Sequence, residues 1–389
     1  MMVQPMTLRA TADRASSPAG TASQPDHALD GITPSSAGGV ALDPLARAWR
    51  DLETAATSPT QHFIWSQACA ESFHDARALQ TVVVRDRGRV TAVAPLVRTR
   101  GPLVRLEALG VHELFEPMDF LYADADALAA LADRLARQPL PLRLQRVPDG
   151  SPMVAALTRA FQGRGVIHSA PISPCPYIDL DASWAEPEKH FNSGRRSDFR
   201  RARRHAEQQG AVTFDILAPA PAEVGALIDE ALAVEALSWK GTEGTALVRD
   251  PSRARFFHRY AGAAAALGIL RLVFMRIAGR AVGMQIAVEC HGRFWLLKIG
   301  YDESVARCSP GNLLMLHSVQ YAAARGLSSY EFLGGAAPWT ATWTKTLRQC
   351  TVVRAYPFSV AGLAALGWDT GRWAYGRIRR RLPDQETSE

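Results

Sequence analysis

The sequence predicts a mixed α/β fold (an α+β mixed sheet) made of two tandem units that share one order of elements. In each half, two helical stretches precede strand-length apolar segments, and a further helix and strand follow. Short glycine-containing turns predict antiparallel pairs, and the later helical crossover predicts a parallel pair. A sheet that changes pairing in this way splays, so we expect a crevice there beside a helix N-terminus, where α/β sheets bind anions.

The elements of each unit follow from apolar periodicity and from the turn residues between them. In the first unit we predict helices at 42–52 and 63–73, strands at 79–85, 90–97 and 103–109, a helix at 126–137 and a strand at 141–147. In the second unit we predict helices at 222–239 and 251–267, strands at 269–277, 281–290 and 293–300, a helix at 313–325 and a strand at 328–333.

Composition shifts suggest four segments. Residues 1–40 are rich in Ala, Ser, Thr, Gly and Pro without apolar periodicity, which predicts a disordered leader. Residues 41–180 and 181–357 form the two predicted units. Residues 358–389 predict a basic helix and tail, whose arginines favour a solvated end, with weak peripheral membrane contact through 358–381 as the alternative.

Bulk properties narrow the function classes. The chain has 389 residues, 47% of them hydrophobic and 21% charged, as in soluble globular proteins. It has no apolar run of the ~18–20 residues that cross a bilayer. Five scattered cysteines, without a C-x-x-C pair or a histidine at metal spacing, indicate reduced thiols in a cytoplasmic protein and no metal site. The formal net charge of +6 does not choose among anionic partners.

Three common catalytic signatures are absent. The chain contains no G-x-S-x-G elbow, no G-x-x-x-x-G-K-[ST] loop and no G-x-G-x-x-G fingerprint. A serine hydrolase, a P-loop NTPase and a Rossmann dehydrogenase therefore lose their main support.

One turn has the features of a phosphate site. The strand ending at Gly300 is followed by Ser309-Pro310-Gly311-Asn312 and then by a predicted helix. Free N–H groups at a helix start attract phosphate, Gly311 lets a ligand approach the backbone, and Arg307 adds a fixed positive charge. The plain alternative is a helix start in which Ser309 is the N-cap and Pro310 is the first helical residue.

The most charged segment also points to an anion. Arg196, Arg200 and Arg204 share one face of a predicted helix at i, i+4 spacing, where like charges repel unless an anion binds. A solvated basic face is the alternative. Few aromatic residues are interleaved, which disfavours binding of single-stranded nucleic acid.

Candidates for proton transfer are Glu235, Tyr301 and Asp302. Tyr301 and Asp302 follow a strand end, where functional groups collect, although a turn aspartate is also common there. Glu235 lies on a predicted amphipathic helix, where a surface carboxylate is the plain alternative.

Four motifs together resemble the FemAB-like branch of the GNAT acetyltransferase superfamily, and within it the CelD/BcsL type linked to cellulose or exopolysaccharide production. The match spans about residues 43–357 and is strong in the second half. The motifs are the Arg195–Arg204 helix, Glu235 with Trp239-Lys240-Gly241, Gly300-Tyr301-Asp302 with Ser309–Leu314, and Tyr330–Gly335 with Trp343.

The resemblance implies two tandem GNAT-like units and direct transfer of an acyl group from acyl-CoA to an amine or hydroxyl. It places the donor diphosphate on Arg307, Ser309, Gly311 and Asn312. Backbone N–H groups at the end of strand 293–300 would polarise the thioester carbonyl. Residues implied for the remaining roles are Tyr301 as acid, Asp302 or Glu235 as base, and Arg196, Arg200, Arg204, Trp239 and Lys240 at the substrate or at an anion.

One departure from the family pattern concerns the residue after Trp339, which is Thr340 where the family usually has lysine before a tryptophan. This departure, with the lack of a decisive base, keeps open a non-catalytic GNAT-fold protein that regulates polysaccharide synthesis. A separate alternative is a FemX-like ligase that uses aminoacyl-tRNA, in which the arginine helix would contact the tRNA. The expected acceptor is a small molecule or glycan. The expected donor is acetyl-CoA or another acyl-CoA, and we expect no metal and no nucleic acid.

Overall fold

The structure is a computed structural model that describes residues 42–238 and 250–379, with side chains described to residue 375. The predicted leader, Trp239 and Lys240 lie outside the described residues. The helices are α1 Ala46–Leu52, α2 Phe63–Phe73, α3 Val111–Leu114, α4 Ala125–Ala136, α5 Met153–Ala160, α6 Ser193–Glu207, α7 Val224–Ala236, α8 Pro251–Ala266, α9 Pro310–Ala324 and α10 Val360–Arg379. The strands are β1 Leu79–Asp86, β2 Arg89–Arg98, β3 Leu106–Ala108, β4 Leu121–Tyr122, β5 Leu142–Pro148, β6 Gly165–Asp179, β7 Val212–Leu217, β8 Leu270–Ile277, β9 Arg280–Cys290, β10 Arg293–Tyr301, β11 Ser329–Glu331 and β12 Leu347–Pro357.

The strands form one mixed sheet in the order β1-β2-β3-β5-β12-β6-β11-β10-β9-β8-β7, with β4 paired to β2. Each half contains the predicted antiparallel meander, β1-β2-β3 in the first and β8-β9-β10 in the second. Each half also contains the predicted parallel pair after a helical crossover, β3 with β5 and β10 with β11. The predicted fold class, a mixed sheet in two tandem GNAT-like units, is confirmed.

Six described elements were not predicted, namely α3, α5, β4, β6, β7 and β12. The strand β6 contains Pro171, Pro174 and Pro176, a composition typical of a loop, yet it pairs along most of its length with β12. Long-range pairing therefore overrides the local preference here. Because β6 also pairs with β11, it joins the strands of the first half to those of the second.

The strand β12 comes from the C-terminal part of the chain and lies between β5 and β6. It pairs antiparallel with both neighbours, so a segment from the predicted second unit completes the sheet of the first. The boundary at residues 180 and 181 stays a prediction.

Helices cover both faces of the sheet and fix its position. On one face α2 packs against α8, where the Trp65 ring lies 5.0 Å from the rings of both Phe256 and Tyr260, measured between centroids. On the other face α9 and α6 pack over the second half through buried residues such as Leu313, Val319 and Phe199. These packing contacts hold the start of α9 against the sheet.

Close packing between β9 and α9 depends on Gly283. A Cβ atom at this position would lie 2.7 Å from Leu314 Cδ1 and 3.3 Å from Pro310 Cβ. We expect Gly283→Ala to lower the free energy of unfolding by ~1–3 kcal/mol, because both neighbours are buried and the added methyl group overpacks the core. Gly262→Ala in α8, where the new Cβ meets open space, is the matched control, and we expect it to stabilise by ~0.5–1 kcal/mol. Urea denaturation measures both, and equal effects would contradict the packing argument.

Candidate functional site

The site lies where β10 and β11 separate. The two strands pair only between Arg293–Trp295 and Ser329–Glu331. Beyond that point β10 continues to Tyr301 while β11 ends. The edge of β10 that faces β11 therefore has no ladder partner on that strand from Leu296 onward, and its backbone groups face a gap in the sheet.

A cavity of about 290 Å³ opens on one face of this gap. Four of the residues predicted from the sequence line it: Tyr301, Ser309, Gly311 and Asn312. The remaining lining residues are Ser238, Ile299, Gly300, Ala306, Met315, Trp339 and Trp343. The end of β10, the start of α9 and the segment after β11 thus meet around one space, although they are far apart in the chain.

The turn before α9 presents backbone groups rather than a capping side chain. Ser309 occupies the N-cap position in the left-handed region (φ 44°), and its side chain makes no capping hydrogen bond. Its carbonyl accepts the N–H groups of Asn312 and Leu313. Pro310 is the first helical residue, as predicted, and Gly311 follows it in the first turn, where a helix offers its N–H no partner. The side-chain cap expected in the plain alternative is therefore not formed.

Arg307 does not line this cavity. It lies in the short 3₁₀ segment Glu303–Cys308 and is exposed, whereas its neighbour Ala306 does line the cavity. A positive charge at this position is thus available at the rim of the turn and not within the cavity.

Glu235 lies on the opposite face of β10 and is fully buried, so the interpretation as a surface carboxylate is wrong. Lys298 Nζ lies 3.1 Å from its carboxylate. Gly300 makes this closeness possible, since a Cβ there would lie 3.1 Å from both Cα and Cγ of Glu235. Alternate residues of β10 therefore point to opposite faces of the sheet. Lys298 and Gly300 face Glu235, whereas Ile299 and Tyr301 face the cavity.

The first half of the chain contributes a carboxylate that the sequence did not reveal. The Gly334 N–H, just after β11, donates to Glu116 at 3.0 Å. Burial raises the pKa of Glu116 to about 8, although Arg146, the Gly334 N–H and Lys298 each act to lower it. Glu116 thus accepts a hydrogen bond from the segment after β11, and the charge of Lys298 on β10 also acts on its carboxylate.

Arg146 holds the same segment from the other side. It is fully buried, and its guanidinium donates to the carbonyls of Phe115 at 2.7 Å and Gly334 at 2.6 Å. The backbone of Gly334 is therefore bound at its N–H by Glu116 and at its carbonyl by Arg146. No sequence signal pointed to this cluster, because Glu116 and Gly334 lie 218 residues apart.

The carboxylate of Asp302 is already occupied. It accepts the Ser304 N–H at the start of the 3₁₀ segment, and it pairs with Arg280 at 2.5 Å. Burial alone would raise the pKa of Asp302, but the hydrogen bonds from Ser304 and Arg280 outweigh it and leave the pKa below its ordinary value. Burial, with Glu303 nearby, raises the pKa of Tyr301, so its hydroxyl keeps its proton more firmly.

The arginines of α6 lie outside the cavity. Asp198 pairs with Arg201, and Glu188 lies within 3.9 Å of Arg203. The three arginines that were predicted to share one face of the helix differ in exposure. Arg200 and Arg204 are exposed, and Arg196 is partly buried. Within residues 42–238 and 250–379, none of these three forms an ion pair. The helix adjoins the cavity wall, since its Phe199 ring stacks on Trp343 at 6.3 Å between centroids.

Thr340 is buried, and its hydroxyl bonds to the carbonyl of Ala337 at 2.8 Å and accepts the Ala337 N–H. The residue that departs from the family pattern thus fixes the loop carrying Trp339, whose ring lines the cavity while remaining 44% exposed.

The structure groups His62, Cys290 and His291, whose ligand atoms lie within 4.8 Å of one another and could hold a metal ion. The sequence missed this cluster because His62 is 229 residues from His291. The two Nε2 atoms are 2.8 Å apart, a distance at which one neutral ring donates to the other. Burial first, and His291 second, lower the pKa of His62 to about 4.

A second cavity, of about 510 Å³, lies in the first half and away from the gap. Its wall mixes charges, with Arg98, Arg100, Arg105 and Arg143 opposite Glu107 and Glu113. In the described part of the chain, no helix is both long and apolar enough to cross a bilayer.

Comparisons with known proteins agree with this geometry. Residues 193–340 match the family model described as an acetyltransferase (GNAT) domain. A search of curated proteins finds no match. Among solved structures, FemX covers 80% of this chain and 95% of its own at 12% identity, with a TM-score of 0.53. The C-terminal domain of a putative lysylphosphatidylglycerol synthetase from Agrobacterium fabrum covers 82% and 94% at 12% identity, with a TM-score of 0.51.

A conserved protein of unknown function from Bacteroides thetaiotaomicron covers 80% of this chain and 97% of its own at 10% identity, with a TM-score of 0.54. At such low identity these likenesses concern the fold alone. The segment matched to the acetyltransferase model contains β10, the turn at Ser309 and the start of α9, so it includes most of the cavity. This protein therefore has a GNAT-like fold, and its residues 193–340 match the model of an acetyltransferase (GNAT) domain.

Proposed function

We propose that this protein is an acyltransferase that moves an acyl group, such as acetyl, from acyl-CoA to an amine or hydroxyl of a cell-envelope or exopolysaccharide-related acceptor. One observation carries the proposal: Tyr301, Ser309, Gly311 and Asn312 line a single cavity at the gap between β10 and β11. The GNAT match supports an acyl-CoA donor, and the CelD/BcsL resemblance supports this class of acceptor.

The donor would enter from the cavity side. Its diphosphate would rest on the first-turn amides of α9, where the helix dipole favours negative charge, with Arg307 at the rim. Its acyl-thioester end would extend past Ile299 and Gly300 to the gap. Backbone N–H groups on the free edge of β10 would then stabilise the oxyanion that forms on the thioester carbonyl.

The acceptor would approach from the opposite face, where Lys298 lies, and would there meet the carboxylate of Glu116. Its nitrogen or oxygen attacks the thioester carbonyl carbon, and collapse of the tetrahedral intermediate breaks the C–S bond. Glu116 takes the proton released by the acceptor, and the Tyr301 hydroxyl supplies a proton to the leaving thiolate. A base whose pKa is about 8 is suited to this step near neutral pH, because it is both available and strong enough.

Asp302 is less suited to act as the base. Its carboxylate is held by Arg280 and Ser304, and its lowered pKa weakens it as a proton acceptor. Glu235 would act indirectly in this scheme. Its ion pair with Lys298 holds the ammonium group whose charge acts on Glu116. Arg196, Arg200 and Arg204 stay candidates for binding the anionic parts of donor or acceptor.

Calorimetry with acetyl-CoA, longer acyl-CoAs and CoA itself tests the donor, and thiol release with amine and sugar acceptors tests transfer. Absence of binding to all three donors would refute the proposal. Binding without thiol release would instead support a non-catalytic regulatory protein.

The exposed arginines of α6 favour a second candidate, an aminoacyl-tRNA-dependent ligase. Two results together would support this candidate. The protein should bind aminoacyl-tRNA, with weaker binding when Arg200 and Arg204 are replaced by alanine, and it should have no affinity for any acyl-CoA. Retention of CoA affinity with no affinity for tRNA would remove it.

Gly311→Val tests the turn directly. The glycine lies in the first turn of α9, and a Cβ there would already lie 3.4 Å from the Tyr301 ring. We expect at least ~10-fold weaker CoA binding, because the added methyl groups cover the amides and narrow the cavity. The matched control is Gly225→Val at the same helical position of α7, where the new Cβ meets open space. Equal CoA affinity in both variants would contradict the assignment.

A further inference from the structure

The C-terminal helix α10 has one face bound to the body of the protein. Ala365 is fully buried, and Gly362 is packed so closely that a Cβ there would lie 2.0 Å from the Pro357 carbonyl oxygen. Asp369 accepts hydrogen bonds from Arg105 at 2.6 and 2.7 Å and from the Tyr356 hydroxyl at 2.6 Å. The first half of the helix is therefore fixed in position, which also fixes the direction of its other face.

The other face is apolar and exposed. Val360 is 89% exposed, Leu363 and Trp368 are each 52% exposed, and Tyr375 is 68% exposed. At helical periodicity these four share a stripe with Ala364, Gly367, Gly371 and Ala374. The last described part of the helix is exposed on all sides: every residue from 370 to 375 is exposed, and Trp373 is 65% exposed. Six of the thirteen large hydrophobic side chains exposed in the described residues fall between Phe358 and Tyr375, so the concentration is local.

The charge of this segment identifies the partner. Between Asp369 and Asp384 the sequence has five arginines, at 372, 377, 379, 380 and 381, and no acidic residue. Asp369 is itself neutralised by Arg105. Exposed tryptophan and tyrosine beside a run of arginines are typical of helices that lie in the interface of an anionic membrane.

We propose that α10 is a peripheral docking helix that lays its apolar stripe on an anionic lipid surface. A second copy of this chain fits the stripe less well, because the helix offers no exposed acidic group to pair with the arginines of a partner. Docking of this kind would bring the catalytic gap close to acceptors at the cell envelope, but the inference depends on the helix and not on the proposed transfer reaction.

Flotation of the full chain with lipid vesicles tests the proposal. We expect binding to vesicles of phosphatidylcholine mixed with phosphatidylglycerol to exceed binding to phosphatidylcholine alone by at least ~10-fold, and to fall as salt rises. The tryptophan emission should shift to shorter wavelength on binding. The double variant Trp368→Ser, Tyr375→Ser, which removes the two aromatic rings of the stripe, should lose both effects, and Arg372→Glu should weaken binding to the anionic vesicles.

The matched control is Leu267→Ser, which removes an exposed apolar side chain (49% exposed) at the end of α8 and should bind vesicles like the parent. Far-ultraviolet circular dichroism and an unchanged midpoint of urea denaturation check that the variants fold. Equal affinity for neutral and anionic vesicles, or full binding by the double stripe variant, would overturn the proposal. So would a dimer in light scattering that the two stripe substitutions convert to monomer, because the stripe would then be an interface between copies.

Discussion

Glu116→Gln is expected to lower kcat by ~10²–10⁴-fold, the range typical of removing a general base. The parent protein should also show activity that rises with pH through about 8, because Glu116 accepts a proton only when it is ionised and its pKa is about 8. The variant should lack this rise. Both effects are measured as steady-state rates of thiol release in buffers of constant ionic strength. The pH runs from about 6 to about 10, a range that extends to either side of the ~8 midpoint.

Stability supplies a second readout for the same residue. The folded-state pKa of Glu116 lies above its ordinary value of 4.5, so the folded protein holds this proton more tightly than the unfolded chain. The free energy of unfolding should therefore fall as pH rises from about 4.5 through about 8, and Glu116→Gln should reduce that slope. This measurement is independent of the identity of the substrate.

Glu113→Gln is the matched control, because Glu113 is a nearby carboxylate that lines the other cavity. We expect unchanged kcat and an unchanged pH profile. If Glu116→Gln keeps the rise through pH 8, the base lies elsewhere, and Glu235→Gln becomes the next variant to measure.

Arg146→Met is expected to lower the free energy of unfolding by ~3–5 kcal/mol, the cost of removing one partner from a buried charged cluster. The substitution leaves the carbonyls of Phe115 and Gly334 without their donor and removes the charge that most strongly lowers the pKa of Glu116. Because Arg146 lowers the pKa of Glu116, the midpoint of the pH–activity profile should also move above 8.

Arg143→Met on the same strand is the control. Its contact with Glu107 is long, at 3.5 Å, and its side chain is 36% exposed, so we expect a loss of at most ~1 kcal/mol. Urea denaturation of both variants, with the pH profile of the first, tests the pair. A loss of stability in Arg146→Met with no shift of the profile would assign Arg146 a purely structural role.

Helices and strands with strong local sequence patterns could be predicted without the structure. Helices α2, α8 and α9 and the two meanders follow from apolar periodicity and from short turns, and the structure contains them within a few residues of the predicted bounds. The turn at Ser309 also follows from local residues, because a strand end, a proline and a glycine lie within a dozen positions. The cavity then formed at the place where the pairing pattern changes.

Features formed by contacts between residues far apart in the chain became visible in the folded structure alone. Three features join segments that share no sequence periodicity. They are the insertion of β12 between β5 and β6, the burial of Glu235 against Gly300, and the hydrogen bonds that Glu116 and Arg146 make to the backbone of Gly334. Local patterns report the backbone preference and the buried face of one element. The ionisation of a carboxylate depends instead on the surroundings that folding assembles from both halves of the chain, which is why the pKa of Glu116 is a property of the fold.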